Sequence, residues 1–139
     1  MKRLTWLALV AAACAAAAEP VPEARARAAP LPEGCKVPLG AEGYPKEARR
    51  RGASAVVTAA FQINDQGEPD HVTLLSGAGG PFAAAAQQIL RGTHCPAPAA
   101  QAEPTRYVLD IQFVLLPCRT PAPSPLAGSA VMICATRLK

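Results

Sequence analysis

The residues most able to do chemistry in this chain of 139 residues are five cysteines and two histidines. Cys14 lies in an apolar N-terminal run, so Cys35, Cys95, Cys118 and Cys134 belong to the body of the chain. An even number of cysteines in an exported chain suggests two disulfide bonds, and four cysteines allow three pairings. We favour a bond between Cys118 and Cys134, because a terminal strand that folds back would bring them together. This leaves Cys35 to pair with Cys95.

Zinc binding is the alternative role for these groups, because His71, His94 and Cys95 could surround a metal together with other thiols. Their spacing matches no zinc-finger or zinc-ribbon pattern, so the sequence predicts neither a metal nor another cofactor. Neither histidine is accompanied by a nucleophile and an acid in a catalytic arrangement. Asp65 is expected to shape a turn rather than to act as a base. We therefore predict that the protein is not an enzyme.

The first 18 residues are typical of an export signal. Lys2 and Arg3 precede an apolar run at 4–18, which ends in small residues before Glu19. The run is short for a membrane span, which needs about 20 apolar residues. We expect cleavage after Ala18 and export of the mature chain. Acylation of Cys14, which would make the protein a lipoprotein, is the alternative.

The charge of the chain argues against a nucleic-acid partner. Removal of Lys2 and Arg3 with the signal leaves twelve basic against ten acidic residues, a net charge of +2. Nucleic-acid binding usually requires a strongly basic face. The cluster Arg49, Arg50, Arg51 is expected to be the solvated last turn of a short helix, where cations suit the helix dipole. An anionic partner, such as an acidic peptide or a membrane surface, is the alternative.

Proline-rich segments divide the rest of the chain. Residues 19–38 have the composition of a short Pro/Ala-rich linker, and a second Pro-rich break begins at residue 119. We predict one domain at 39–118, followed by a tail at 119–139 that could contain a further strand. A domain of about 80 residues is small enough to benefit from disulfide bonds.

Helical and strand periods alternate along this domain. The pattern predicts a short helix at 45–51, strands at 56–63 and 71–75 around the turn NDQG, a second helix at 81–91, and a strand at 107–116. The order helix, strand, strand, helix, strand predicts an α+β fold. In it, a small antiparallel sheet has one main helix packed on one face.

The segment at 107–116 has the cleanest alternation of apolar and polar residues. Its odd-numbered residues would face the helix and its even-numbered residues would face solvent. The strand should end the sheet unless the C-terminal segment covers it. A free edge would also allow two copies to pair as a homodimer.

These segments in this order resemble the C-terminal domain of TonB, over residues 44–116. The segments that carry the resemblance are Tyr44-Pro45, the basic turn at 49–52, the strand at 57–63, the hairpin glycine Gly67, Ser76-Gly77, the Ala-rich helix at 82–90, and the strand at 111–115.

The resemblance implies a periplasmic domain whose edge strand pairs with the TonB box, a short extended segment of a TonB-dependent outer-membrane transporter. It also implies inner-membrane motor proteins as partners in energy-coupled transport. In strand addition, main-chain hydrogen bonds give affinity and alternate side chains set the register. The partner-binding residues implied are Tyr107, Val108, Leu109, Asp110, Ile111, Gln112, Phe113, Val114 and Leu115.

This chain departs from the transducing members of that family at its N-terminus. Those members keep an uncleaved membrane anchor and a long Pro-rich spacer, whereas here a short signal precedes a short linker. The alternative function is therefore an exported envelope adaptor or structural protein that has the same fold but does not transduce energy. In that case a terminal strand, held by Cys118 and Cys134, would cover the sheet edge.

Overall fold

The computed structural model describes residues 28–98, 104–122 and 124–139. The expected export signal at 1–18, Cys14 and the first part of the linker lie outside these ranges. None of the helices in the described ranges is long and apolar enough to cross a membrane.

The described residues form an α+β fold built on a four-stranded sheet, which confirms the predicted fold class. The order of strands across the sheet is β2, β1, β3, β4. The elements in chain order are a 3-10 turn at Ala41–Gly43, α1 at Lys46–Arg51, β1 at Ala55–Ile63, β2 at Pro69–Ser76, α2 at Gly80–Arg91, β3 at Tyr107–Leu115 and β4 at Ser129–Ala135.

The sheet is mixed rather than wholly antiparallel. β1 pairs antiparallel with β2 and with β3, whereas β4 lies parallel to β3. The three predicted strands are antiparallel as expected, and the fourth strand, for which no direction was predicted, makes the sheet mixed. A parallel neighbour requires a crossover connection of a dozen or more residues. Residues 116–128 provide this connection between β3 and β4.

Local sequence signals explain the turns that bound the first elements. α1 begins after Pro45, and Gly52 ends it in the left-handed conformation (φ 66°) that favours glycine. In the turn between β1 and β2, the Asn64 side chain accepts hydrogen bonds from the backbone N–H groups of Gln66 (3.0 Å) and Glu68 (2.9 Å). Such side-chain contacts fix a tight hairpin and hence the pairing of its strands.

The hydrophobic core lies between α2 and one face of the sheet. Tyr44 packs edge-on against Phe82 and Phe113, with ring centroids 5.8 and 5.6 Å away. α2 turns an apolar stripe toward the sheet, and Phe82 at the start of this stripe is half-buried. The buried residues of α2 are Ala83, Ala86, Ile89 and Leu90.

The opposite face of β3 is also buried, so the expectation that it meets solvent is wrong. Asp110 is 0% exposed and Gln112 is 1% exposed. The Thr58 hydroxyl donates to Asp110 Oδ1 (2.7 Å), and the backbone N–H of Ser124 donates to Asp110 Oδ2 (2.6 Å). Because Ser124 belongs to the crossover connection, this connection packs on the face that alternation had assigned to water.

Two disulfide bonds join Cys35 to Cys95 and Cys118 to Cys134, the pairing that the sequence favoured. A disulfide-bonded Cys95 cannot serve as a thiolate, which removes it from the alternative zinc site. The Cys35–Cys95 bond also attaches residues that the sequence assigned to the linker. Next to it, Lys36 and His94 exchange two backbone hydrogen bonds of 2.7 and 3.0 Å.

Candidate functional site

The segment predicted to bind a partner, Tyr107–Leu115, is β3, and it lies in the interior of the sheet. β1 pairs with one side of it. β4 pairs with the other side, from Ser129 opposite Leu109 to Ala135 opposite Leu115. The prediction that this strand has a free edge is therefore wrong. The physical reason is that the C-terminal segment supplies apolar side chains to the core from this position.

The beginning of the same edge is closed by two segments from distant parts of the chain. Ala29 forms an isolated parallel bridge with Tyr107. The backbone N–H of Gly128 donates to the Val108 carbonyl (2.9 Å), one residue before β4 begins. The outer edge of β3 is thus covered along its length by two chain segments.

Side-chain burial holds β4 in place. Ile133 and Ala135 are buried members of the core, and Val131 packs against that core. The disulfide bond from Cys134 to Cys118 then ties β4 to the residues that leave β3. β4 is consequently secured by packing, by main-chain pairing and by a covalent link.

A further anchor lies just after β4. Arg49 in α1 donates from Nε to the Thr136 carbonyl (2.8 Å) and from Nη2 to the Thr136 hydroxyl (2.9 Å). The N–H of Leu138 donates in return to the Arg49 carbonyl (3.3 Å). This basic helix therefore has a structural role in docking the tail, in addition to the solvated face that its sequence predicts.

Within the described sheet, the outer edges belong to β2 and β4. β2 is irregular: it begins at a proline, Pro69, its register with β1 shifts twice, and His71 has a positive φ of 50°. Irregular edge strands pair poorly with other chains. β4 has an unbroken register over its seven residues and is the more regular template.

The fold changes the acidity of Tyr44. Its hydroxyl donates to the Ala53 carbonyl, and its ring is buried against Phe82 of α2 and Phe113 of β3. Burial raises the pKa of Tyr44 above its usual value, because desolvation disfavours the phenolate, while the nearby Arg49 partly opposes this effect. The group stays neutral at ordinary pH and acts as a structural hydrogen-bond donor.

A family model of the Gram-negative bacterial TonB protein C-terminal matches residues 41–115. The match extends from the 3-10 turn to the last residue of β3 and spans more than half of the chain. The chain belongs to the TonB C-terminal family. No curated protein and no solved structure matches it.

The TonB C-terminal match has a consequence for the covered edge. It ends at Leu115, so the crossover connection and β4 lie beyond the span that the family model describes. The strand that closes β3 is thus an addition to the matched part of the domain. The TonB C-terminal family is a non-enzymatic binding or transducing domain of the bacterial envelope, and two disulfide bonds are compatible with export.

Sequence reasoning missed the buried pair of Thr58 and Asp110 and the anchor between Arg49 and Thr136. The polar members of a strand are assigned to solvent by alternation, and nothing in the sequence identified the crossover connection as their cover. The signal that did exist for β4 was the short alternating segment SAVMICA, together with the paired cysteines Cys118 and Cys134.

Proposed function

We propose that this TonB C-terminal domain is an exported binding module that pairs β3 with an extended segment of another protein. The proposed segment is the TonB box of a TonB-dependent outer-membrane transporter. The observation that carries the proposal is the parallel pairing of β3 with β4. The outer edge of β3 accepts an extended segment of seven residues, and main-chain pairing of this kind is the basis of strand addition.

A guest segment reaches β3 by replacing β4. Because β4 is attached to the same chain, it competes at an effective concentration on the order of millimolar. The Cys118–Cys134 bond strengthens this competition, since it limits how far β4 can move from β3. Binding by the oxidised protein is therefore expected to be weak, and release of β4 is the regulated step.

In energy-coupled transport, the pairing would connect the transporter to inner-membrane motor proteins only in a chain that keeps its N-terminal apolar run as an anchor; cleavage after Ala18 would leave recognition without transduction. The domain contributes recognition and resistance to pulling, and it carries out no chemical step. This role requires a location in the periplasm, where both the TonB box and an oxidising environment are available.

A peptide titration followed by the backbone amide signals of the protein tests the proposal. The peptide is the TonB box of a TonB-dependent transporter, at up to about 1 mM, matching the expected competition. The wild type is compared with the double variant Cys118→Ser/Cys134→Ser. We expect the variant to bind about tenfold more tightly, because its β4 is less confined. The perturbed amide signals should be those of Tyr107–Leu115, and the amide signals of β4 in its paired position should be lost.

The matched control is Cys35→Ser/Cys95→Ser, which removes the other disulfide bond and leaves the tether of β4 intact. This variant loosens the Ala29 segment, which covers only the beginning of β3, so it should gain less affinity than Cys118→Ser/Cys134→Ser. Equal gains in both double variants would indicate general loosening of the domain instead of release of β4. Unchanged spectra for all three proteins at the highest peptide concentration would overturn the proposed function.

The second candidate is an exported envelope adaptor that keeps β3 permanently closed. The covered edge and the tether of β4 are the observations that favour it. An adaptor of this kind would bind no peptide at β3 even without the Cys118–Cys134 bond. If a peptide perturbs only Ser129–Ala135, and removal of that bond leaves its affinity unchanged, the guest adds to the outer edge of β4.

A further inference from the structure

One end of the sheet gathers arginines from distant parts of the chain. We call this region the basic end and define it by Arg49, Arg50, Arg51 and Arg137. The first three form the last turn of α1. Arg137 follows β4, and its guanidinium lies beside Gly52, where an added Cβ would come within 3.0 Å of its Cζ. The pairing of the tail with Arg49 therefore places the arginine of the C-terminal segment next to those of the helix.

Contacts within the protein engage only some of these arginines. Arg49 docks the tail through Thr136, and Arg50 pairs with Glu47 one turn away. Arg51 and Arg137 are exposed, and neither has a carboxylate partner among the described residues. A favourable helix dipole explains cations on α1, but it does not explain why Arg137 adds to them. At least two arginines thus remain available to an anionic partner.

An exposed apolar side chain accompanies the basic end. Leu116 is 59% exposed, the highest value among the large hydrophobic residues of the described ranges. Its N–H donates to the Ala135 carbonyl (3.0 Å), and the next residue, Thr136, accepts from Arg49. The apolar side chain and the arginines therefore lie around the same end of β4.

Three acidic residues gather at the opposite end of the sheet. Asp65, Glu68 and Asp70 lie in or beside the hairpin at the far end of β1. The nine residues of β1 separate the two ends by about 30 Å, at about 3.4 Å per residue. A negatively charged surface would therefore attract the basic end and repel the hairpin, which gives the domain a preferred orientation.

We propose that the basic end binds the anionic surface of a lipid bilayer. The arginines contact the lipid phosphates and Leu116 enters the headgroup region, the combination that membrane-surface segments use. An acidic peptide shares the charge but fits less well, because the arginines surround the ends of β3 and β4. A peptide paired along the β4 edge would run past them. This inference does not depend on the peptide proposal, since β3 takes no part in it.

Sedimentation with lipid vesicles tests the proposal on the full exported chain. Vesicles of phosphatidylcholine alone are compared with vesicles that contain phosphatidylglycerol. We expect binding only with the anionic lipid. The double variant Arg51→Gln/Arg137→Gln lacks two exposed arginines. It should bind the anionic vesicles about 25-fold more weakly, because each arginine near the surface contributes about fivefold to the affinity. Binding should also weaken with added salt, because the Debye length falls to about 10 Å at 0.1 M.

The matched control is Arg91→Gln/Arg106→Gln, which changes the net charge equally at exposed positions outside the basic end. It should retain binding, as should Leu126→Ser, whereas Leu116→Ser should weaken it. Equal losses in the two arginine variants would assign the binding to net charge and overturn the proposal. So would equal binding to neutral and anionic vesicles, or no binding to either. The protein could instead bind a glutamate-rich peptide and no vesicles. If Arg51→Gln/Arg137→Gln weakened that peptide binding, the basic end would be assigned to an acidic protein partner.

Discussion

At the scale of single residues, the fold depends on a few buried polar groups with defined partners. The Tyr44 hydroxyl and the Ala53 carbonyl join the segment before α1 to the segment before β1. The Asp110 carboxylate joins β1 to the crossover connection. Each of these groups would be costly to bury alone, since an unpaired buried polar group costs about 1–3 kcal/mol.

Tyr44→Phe is expected to lower the free energy of unfolding by about 0.5–1.5 kcal/mol at neutral pH, because the ring contacts stay and one hydrogen bond is lost. The raised pKa gives the effect a pH dependence. Above about pH 10 the unfolded chain loses the phenolic proton while the folded chain keeps it, so the wild type loses stability there. Urea unfolding of both proteins should therefore show their difference shrinking above that pH. A constant difference would contradict the burial of a neutral phenol.

Asp110→Asn is expected to lower the free energy of unfolding by about 1–3 kcal/mol. The carboxylate accepts from two donors, and an amide nitrogen in place of one oxygen would face a donor with another donor. Chemical denaturation measures the loss. The control is Asp65→Asn in the exposed hairpin turn, which should be nearly neutral. Equal effects at both sites would show that Asp110 does not organise the crossover connection.

At the scale of elements, the hairpin between β1 and β2 is fitted to the segment that follows α2. The Cys95 N–H donates to the Gly67 carbonyl (2.8 Å). Gly67 has a φ of 77°, and a Cβ there would lie 2.0 Å from the Cys95 carbonyl oxygen. The glycine therefore serves both the turn and the approach of the disulfide-bonded segment.

Gly67→Ala is expected to lower the free energy of unfolding by about 1–3 kcal/mol, because the residue is strained at positive φ and the clash is with backbone. Hydrogen exchange should show faster exchange at the Cys95 amide. Gly79→Ala is the matched control, since a Cβ at Gly79 meets nothing within 4 Å and its φ of −103° suits alanine. An equally stable Gly67→Ala protein would mean that the hairpin does not contact Cys95.

At the scale of the whole molecule, the two disulfide bonds restrain the chain to different extents. Cys35–Cys95 closes a separation of 60 residues and attaches the N-terminal segment to the domain. Cys118–Cys134 closes a separation of 16 residues and confines β4. Chain entropy predicts that the longer loop contributes more to stability, whereas the shorter loop confines the strand that covers β3.

Thermal and urea unfolding of the two double serine variants tests how much each disulfide bond contributes to stability. Loss of Cys35–Cys95 should cost about 4 kcal/mol and loss of Cys118–Cys134 about 3 kcal/mol. Of the two variants, the one that binds the peptide more tightly should thus also be the more stable. If Cys118→Ser/Cys134→Ser proved the less stable variant, β4 would carry more of the fold than its loop length implies.

The sequence by itself determined the elements and the family. The turn at 64–67, the glycine at the end of α1 and the alternation in β3 are local signals, and each depends on residues only a few positions apart. The same signals in order were enough to indicate the TonB C-terminal family. The favoured cysteine pairing followed from the expectation that a terminal strand folds back.

Only the tertiary structure decided where that strand lies and in which direction it runs. Alternation assigns two faces to β3 but cannot say whether a neighbour occupies its edge, because main-chain pairing leaves no trace in side-chain type. Alternation also assigned Asp110 and Gln112 to solvent. The connection that covers them is Pro-rich and has no regular spacing of apolar residues, so the sequence did not mark it as a packed segment. β4 runs parallel to β3 because that connection crosses the sheet, and this crossing is a property of the folded chain alone.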